Sequence, residues 1–293
     1  MTIEQFDKHY QERILYMSEI ALSGILGNDA KSASEDYTVL GEGYPRLVRY
    51  IDEIYSTDNV FSDYQLLSIC DQLCQYIIVI YREAKGNDEN VAHQLLMSFH
   101  KDYPGTTGTC LFPTWESLIN ASIAFKQCPK DNYTLVWQQS TRLVQAYNEF
   151  INKLLGFLYI GWCVAQDVEL DIKVFKMGYR NKLRKFEEIT NGENGAFYLI
   201  FRLATPDLRN SIAHEDISND YNKGIVKYVV GNKKKIIREM STLDFLAKAS
   251  SGSVFAQSYL LALSVITLLE ADSDAYSKYI PKHLIRVFNF ETK

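Results

Sequence analysis

The longest periodic pattern in the chain, residues 133–168, restricts the fold before any other feature does. Leu143, Val144, Tyr147, Phe150, Ile151, Leu154, Leu155 and Leu158 recur at helical spacing. They make an apolar stripe broad enough to face other helices. Gly156 and Gly161 interrupt it and suit a close approach or a kink. A second long helix is expected over residues 63–84, nearly all apolar from 66 to 81. A final core helix is expected over 255–269. Shorter helices are expected over residues 3–26, 45–55, 88–99, 115–125, 174–189 and 197–204. After Asp220, two short strands are expected over 224–228 and 235–238. Gly231, Asn232 and Lys233 form their turn, and β-branched Ile225, Val226, Val229, Ile236 and Ile237 supply the propensity. The expected class is all-α: a helical bundle with a small β-hairpin insert.

A chain of 293 residues with 47% hydrophobic content can bury one large core or two ordinary ones. Pro129 and its polar neighbours punctuate the pattern. They divide a helical N-terminal region, residues 1–130, from the remainder, residues 131–293. The longest loop, residues 101–113, holds Pro104, Gly105 and Gly108. Five cysteines form no disulfide framework and no ligand set with histidine, so reduced thiols and a cytoplasmic location are expected. No secretory signal is read in residues 1–11, which carry Glu4, Asp7 and Lys8. Residues 249–269 lack any charge, a membrane-spanning length. Ser250, Ser251, Ser253, Gln257, Ser258, Ser264 and Thr267 argue instead for a buried helix, with no membrane.

The net charge of −5 argues against a surface coated for nucleic acid. The distribution is uneven, however. Residues 173–238 hold 14 Lys or Arg against 7 Asp or Glu, a local balance of +7 that leaves −12 for the rest. Arg180 and Arg184 lie on a basic face that also holds Lys176, Lys182 and Lys185. Lys233, Lys234 and Lys235 suit either an RNA backbone or a charged turn that protects a sheet edge.

That basic region contains the segment with the most chemistry, residues 205–216. Thr205 is a good N-cap, Pro206 suits the first helical position and Asp207 suits the first turn, so a helix is expected from Pro206. Asn210 and His214 are four apart and share one helix face. Arg209 lies roughly 140° from His214 around the axis, with a side chain long enough to swing toward the same space. A guanidinium, an amide and an imidazole together suit a phosphate.

Arg209-Asn210-Ser211-Ile212-Ala213-His214 resembles the signature of the HEPN superfamily (higher eukaryote and prokaryote nucleotide-binding): an Arg, a polar residue, a few more, then His. Leu208 before the Arg, Ile212 and Ala213 between Asn and His, and the hairpin that follows fit the same pattern. The resemblance covers residues 131–293. It implies a helical bundle that acts as a dimer, with Arg209, Asn210 and His214 as the catalytic set. It also implies a metal-independent endoribonuclease, a stress or phage-defence toxin, with RNA as substrate and an antitoxin or other protein as a further partner. The 2′-hydroxyl would attack the adjacent phosphate, His214 would move a proton, and Arg209 would stabilise the added charge. A two-fold dimer would bring two copies of His214 together, one as base and one as acid. The alternative is a non-catalytic module of the same kind that binds nucleotide, RNA or a protein partner.

Rival sites are poor. His93 and His100 are seven apart with no third ligand placed, so neither metal nor cofactor is expected. Gly41-Glu42-Gly43 lacks the strand and helix that would make it a phosphate loop.

Overall fold

Helix α5 (Tyr133–Ala165) meets several neighbours at once, as its broad stripe requires. The computed structural model describes residues 43–55, 64–231 and 235–289. Among these, α1 (Gly43–Tyr55), α2 (Tyr64–Asn87), α3 (Glu89–Met97) and α4 (Phe112–Gln127) precede α5. Helices α6 (Tyr179–Thr190), α7 (Tyr198–Leu203) and α8 (Pro206–Ala213) follow it. Strands β1 (Ile217–Asp220), β2 (Ile225–Val230) and β3 (Ile236–Ser241) come next, then α9 (Thr242–Ser253), α10 (Phe255–Tyr276) and α11 (Lys282–Asn289). The protein is therefore mainly helical with a small antiparallel sheet. The helix expected over residues 3–26 lies outside the described residues.

The core is one contiguous cluster running from Leu47 to Leu284, and α5 contributes Leu143, Phe150, Ile151, Leu154 and Leu155 to it. Each such side chain, fully buried, stabilises by about 1.5–3 kcal/mol. Helix α5 packs on α2, α4, α6, α8 and α9, while α10 packs on α1 and α2. The core thus continues across residue 131. Its glycines mark close approaches without a break in the helix. A Cβ on Gly156 would stand 2.6 Å from the Phe175 ring, and one on Gly161 would stand 2.7 Å from Ile80. Residues 242–279 are long and apolar enough to cross a membrane, but 89% of their most apolar window is buried inside the molecule.

Three local expectations need correcting. The segment expected as one helix over 174–189 is two. A 3-10 turn, Ile172–Lys176, is capped by the Asp171 carboxylate, and α6 begins only after Gly178. Phe175, on that turn, lodges against Gly156, which holds the turn off the line of α6. Helix α5 stops at Ala165, where Asp167 turns left-handed at φ 52°. The expected hairpin is a three-stranded sheet in the order β1-β2-β3. Strand β1, Ile-Ser-Asn-Asp, has one apolar residue and three turn formers, so it carries no strand signal of its own. It is recruited by pairing, with Ile217 opposite Tyr228 and Asn219 opposite Val226. One face of the sheet presents Ile217, Val226, Tyr228 and Met240 to the core. The other carries Lys227 and Glu239, 3.3 Å apart.

Candidate functional site

The site begins on α5, where two polar residues, Asn148 and Glu149, follow Tyr147. Asn148 is fully buried, and its Oδ1 accepts from the Thr205 backbone N–H (2.9 Å) and the Tyr179 hydroxyl (2.9 Å). Its Nδ2 donates to the Val144 carbonyl (2.8 Å) and to Thr205 Oγ1 (2.9 Å). The Tyr147 hydroxyl also meets Thr205 Oγ1, at 2.8 Å. Helix α8 does begin at Pro206, as expected, but Thr205 does not cap it with its own side chain. Its hydroxyl is taken up by α5 instead. An Asn at a stripe position of an apolar helix was the signal for this network, because a buried amide must find partners.

The next residue of α5, Glu149, grips Arg209. Glu149 Oε1 accepts from Nε at 2.7 Å and lies 2.5 Å from Nη2. The third nitrogen, Nη1, donates to Asn210 Oδ1 at 3.1 Å. The Arg209 guanidinium therefore points toward α5 rather than swinging into the space beside His214. With its oxygen taken, Asn210 keeps its amide NH2 as a donor.

The far end of α8 is tied to the sheet. Ser211 donates to the Val229 carbonyl at 2.5 Å, and the Val229 N–H donates to the Asp216 carbonyl at 3.1 Å. His214 is the C-cap residue, exposed, with its backbone N–H on Asn210 O (3.0 Å). After it, Glu215 is left-handed at φ 57°. The Glu215 N–H bonds Ile212 O (3.1 Å) and the Asp216 N–H bonds Ser211 O (2.8 Å). This is the paired-bond helix ending that glycine normally occupies.

These ties leave a groove of about 400 Å³ lined by Arg180, Asp207, Asn210, Ser211, His214, Asp216, Val229 and Gly231. Asn210 and His214 face it together. The His214 ring makes no hydrogen bond or ion pair to any described residue, so it is open to a ligand. Arg180, from α6, reaches in and pairs with Asp207. Lys235 stands at the rim, 3.3 Å from Asp216.

The other expected RNA contacts are dispersed. Arg184 lies outside the groove, 3.8 Å from Glu188. Lys233 and Lys234 lie outside the described residues. Lys182, assigned with Arg180 and Arg184 to one basic face, is buried and donates to the Asn152 carbonyl at 3.0 Å. Burial, then the nearby Lys153, lowers its ammonium from the ordinary 10.5 to about 8. The acids that hold these cations, Asp207, Asp216 and Glu149, were not foreseen as parts of the site. Among the described residues, no three His, Cys, Asp or Glu side chains gather to hold a metal ion. Comparisons with family models, curated proteins and solved structures give no match to this chain.

Proposed function

We propose that the protein is a metal-independent endoribonuclease built on a helical bundle of HEPN type, working as a two-fold dimer. One observation carries the reading: Asn210 and His214 line one solvent-open groove, while Arg209 is hydrogen-bonded to Asn210 on the flank. A phosphodiester lying there meets the Asn210 amide as donor and the imidazole as proton carrier. The 2′-oxygen forms a bond to phosphorus as its proton leaves. The bond from phosphorus to the 5′-oxygen breaks and that oxygen takes a proton. The products are a 2′,3′-cyclic phosphate and a 5′-hydroxyl. An imidazole can take up a proton or give one up, so the same side chain serves as base or as acid. Two copies of His214 across a two-fold axis supply base and acid in one step. Five free thiols fit a cytoplasmic setting, and a toxin of stress or phage defence is the role we propose.

The test is cleavage of total RNA by the purified protein, with the ends mapped. His214→Ala is expected to abolish cutting while the melting temperature stays nearly constant, because an exposed ring contributes little to packing. Cutting should persist in EDTA. A requirement for Mg²⁺, or products ending in 5′-phosphate, would overturn the mechanism.

One observation favours a second reading, a module that binds nucleotide, RNA or a protein without cutting. The cations Arg180, Arg209 and Lys235 each sit on a carboxylate, which lowers the pull on a polyanion. Binding of RNA with no cleavage under any metal or pH condition would select it.

A further inference from the structure

The arginine that lines the groove and the one that flanks it stand in different surroundings, and the difference assigns them different tasks. Arg209 is 31% exposed, as is Glu149, and the carboxylate and Asn210 together occupy all three of its nitrogens. It does not line the groove. Arg180 is 58% exposed, lines the groove, and among the described residues is held only by Asp207, itself a groove residue. The pair opens on the groove and its guanidinium is the more exposed partner, so a phosphate can share or replace the Asp207 contact with little loss. A guanidinium fork also has an edge to spare when one nitrogen is occupied. Releasing Arg209 would instead break its bonds to Glu149 and to Asn210 together and let the Asn210 amide turn.

We infer that Arg180 is the guanidinium that meets the anionic group of the ligand, and that Arg209 is a positioning residue that acts through Asn210. This rests on the RNA reading of the same groove, and it moves the charge-stabilising contact from α8 to α6. Glu149 sets Arg209, Arg209 sets the Asn210 oxygen, and the Asn210 NH2 is left aimed at the ligand.

The experiment is equilibrium binding of a 2′-O-methyl RNA oligonucleotide, which cannot be cut by 2′-attack, to the full chain across a salt series. Loss of one phosphate contact reduces the slope of log K against log salt by about 0.7 for a single strand. Arg180→Ala is expected to show that reduction. Arg209→Gln is expected to weaken binding with the slope unchanged. Its effect should vanish in an Asn210→Ala background, whereas that of Arg180→Ala should add to Asn210→Ala. If Arg209→Gln alone fails to fold, Glu149→Gln/Arg209→Gln leaves no unpaired charge and takes its place. A reduced slope in the Arg209 variant, an unchanged slope in Arg180→Ala, or no salt-dependent binding by the wild type overturns the inference. Cleavage of ordinary RNA is scored separately. If slopes behave as stated and nothing is cut, the ribonuclease reading fails and the assignment of Arg180 stands.

Discussion

Asn148 accepts the backbone N–H of Thr205 at 2.9 Å from a position with no solvent exposure, and so a residue of α5 anchors the residue from which the motif helix starts. The same side chain satisfies the Thr205 and Tyr179 hydroxyls. Asn148→Ala would leave the Thr205 N–H and the buried Tyr179 hydroxyl short of a partner, while the Thr205 hydroxyl keeps Tyr147. The expected cost is about 2–4 kcal/mol in denaturant unfolding, from more than one unsatisfied group. Any folded fraction should lose activity with His214 intact. A cost below roughly 1 kcal/mol would show that the network does not anchor α8.

Glu215 gives an opposite case, a residue whose replacement should help. It holds a left-handed backbone at φ 57°, and its side chain makes no bond to a described residue. A non-glycine residue there costs about 1–2 kcal/mol. Glu215→Gly removes that strain and loses part of the gain to the freer unfolded chain. A net stabilisation of about 0.5–1 kcal/mol is expected by chemical denaturation. A net loss would mean that the carboxylate has a contact in solution that outweighs the strain.

Asp71 makes stability fall in acid. Its carboxylate accepts from Tyr55 (2.5 Å), Gln75 (2.7 Å) and His283 (2.6 Å), which ties α1 and α11 to α2. Burial pushes its pKa up, but the bonds from His283 and Tyr55 outweigh burial and hold it below the ordinary 3.8. A depressed carboxylate stabilises the fold fully above its unfolded value, and this is lost as pH drops through the folded one. Unfolding free energy should therefore fall below about pH 4, and Asp71→Asn should flatten that limb. Parallel acid limbs in the two proteins would assign the loss to other groups.

Lys182 acts at the alkaline end. Its ammonium loses a proton at about 8 in the fold and at the ordinary 10.5 when unfolded. Between those values the unfolded chain binds more protons, so stability rises with pH. Lys182→Met should remove that rise and be the more stable protein at pH 7. A rise that survives the substitution would show that another group titrates there.

Much of this was open to reading in the chain and some was not, for physical reasons. The α5 stripe and the start of α8 at Pro206 are local signals, set by spacing and by a ring that lacks an N–H. Strand β1 has no such signal, because Ile217 and Asn219 become strand only when Tyr228 and Val226 pair with them. Thr205 looked like a cap because the type of residue is visible in sequence. Its real partner, 57 positions away, is not. For the same reason Arg209 was placed by helix angle, while Glu149, which decides its direction, belongs to another helix. Lys182 counted as one more surface charge until α5 covered it.

Helix α8 spans eight residues, too few to hold its shape without help. It is fastened at its first residues to α5 and at its last to β2. A rod pinned at both ends can neither screw about its axis nor slide along it. The soft coordinates at the groove are then side-chain torsions, chiefly those of His214 and Arg180. Ligand should be gripped by rotamer exchange on a stationary backbone, so free and occupied forms should superpose along α8 to within ordinary coordinate scatter. The entropy lost on binding is then confined to a few χ angles, and the site meets its ligand with most of its ordering already done by folding.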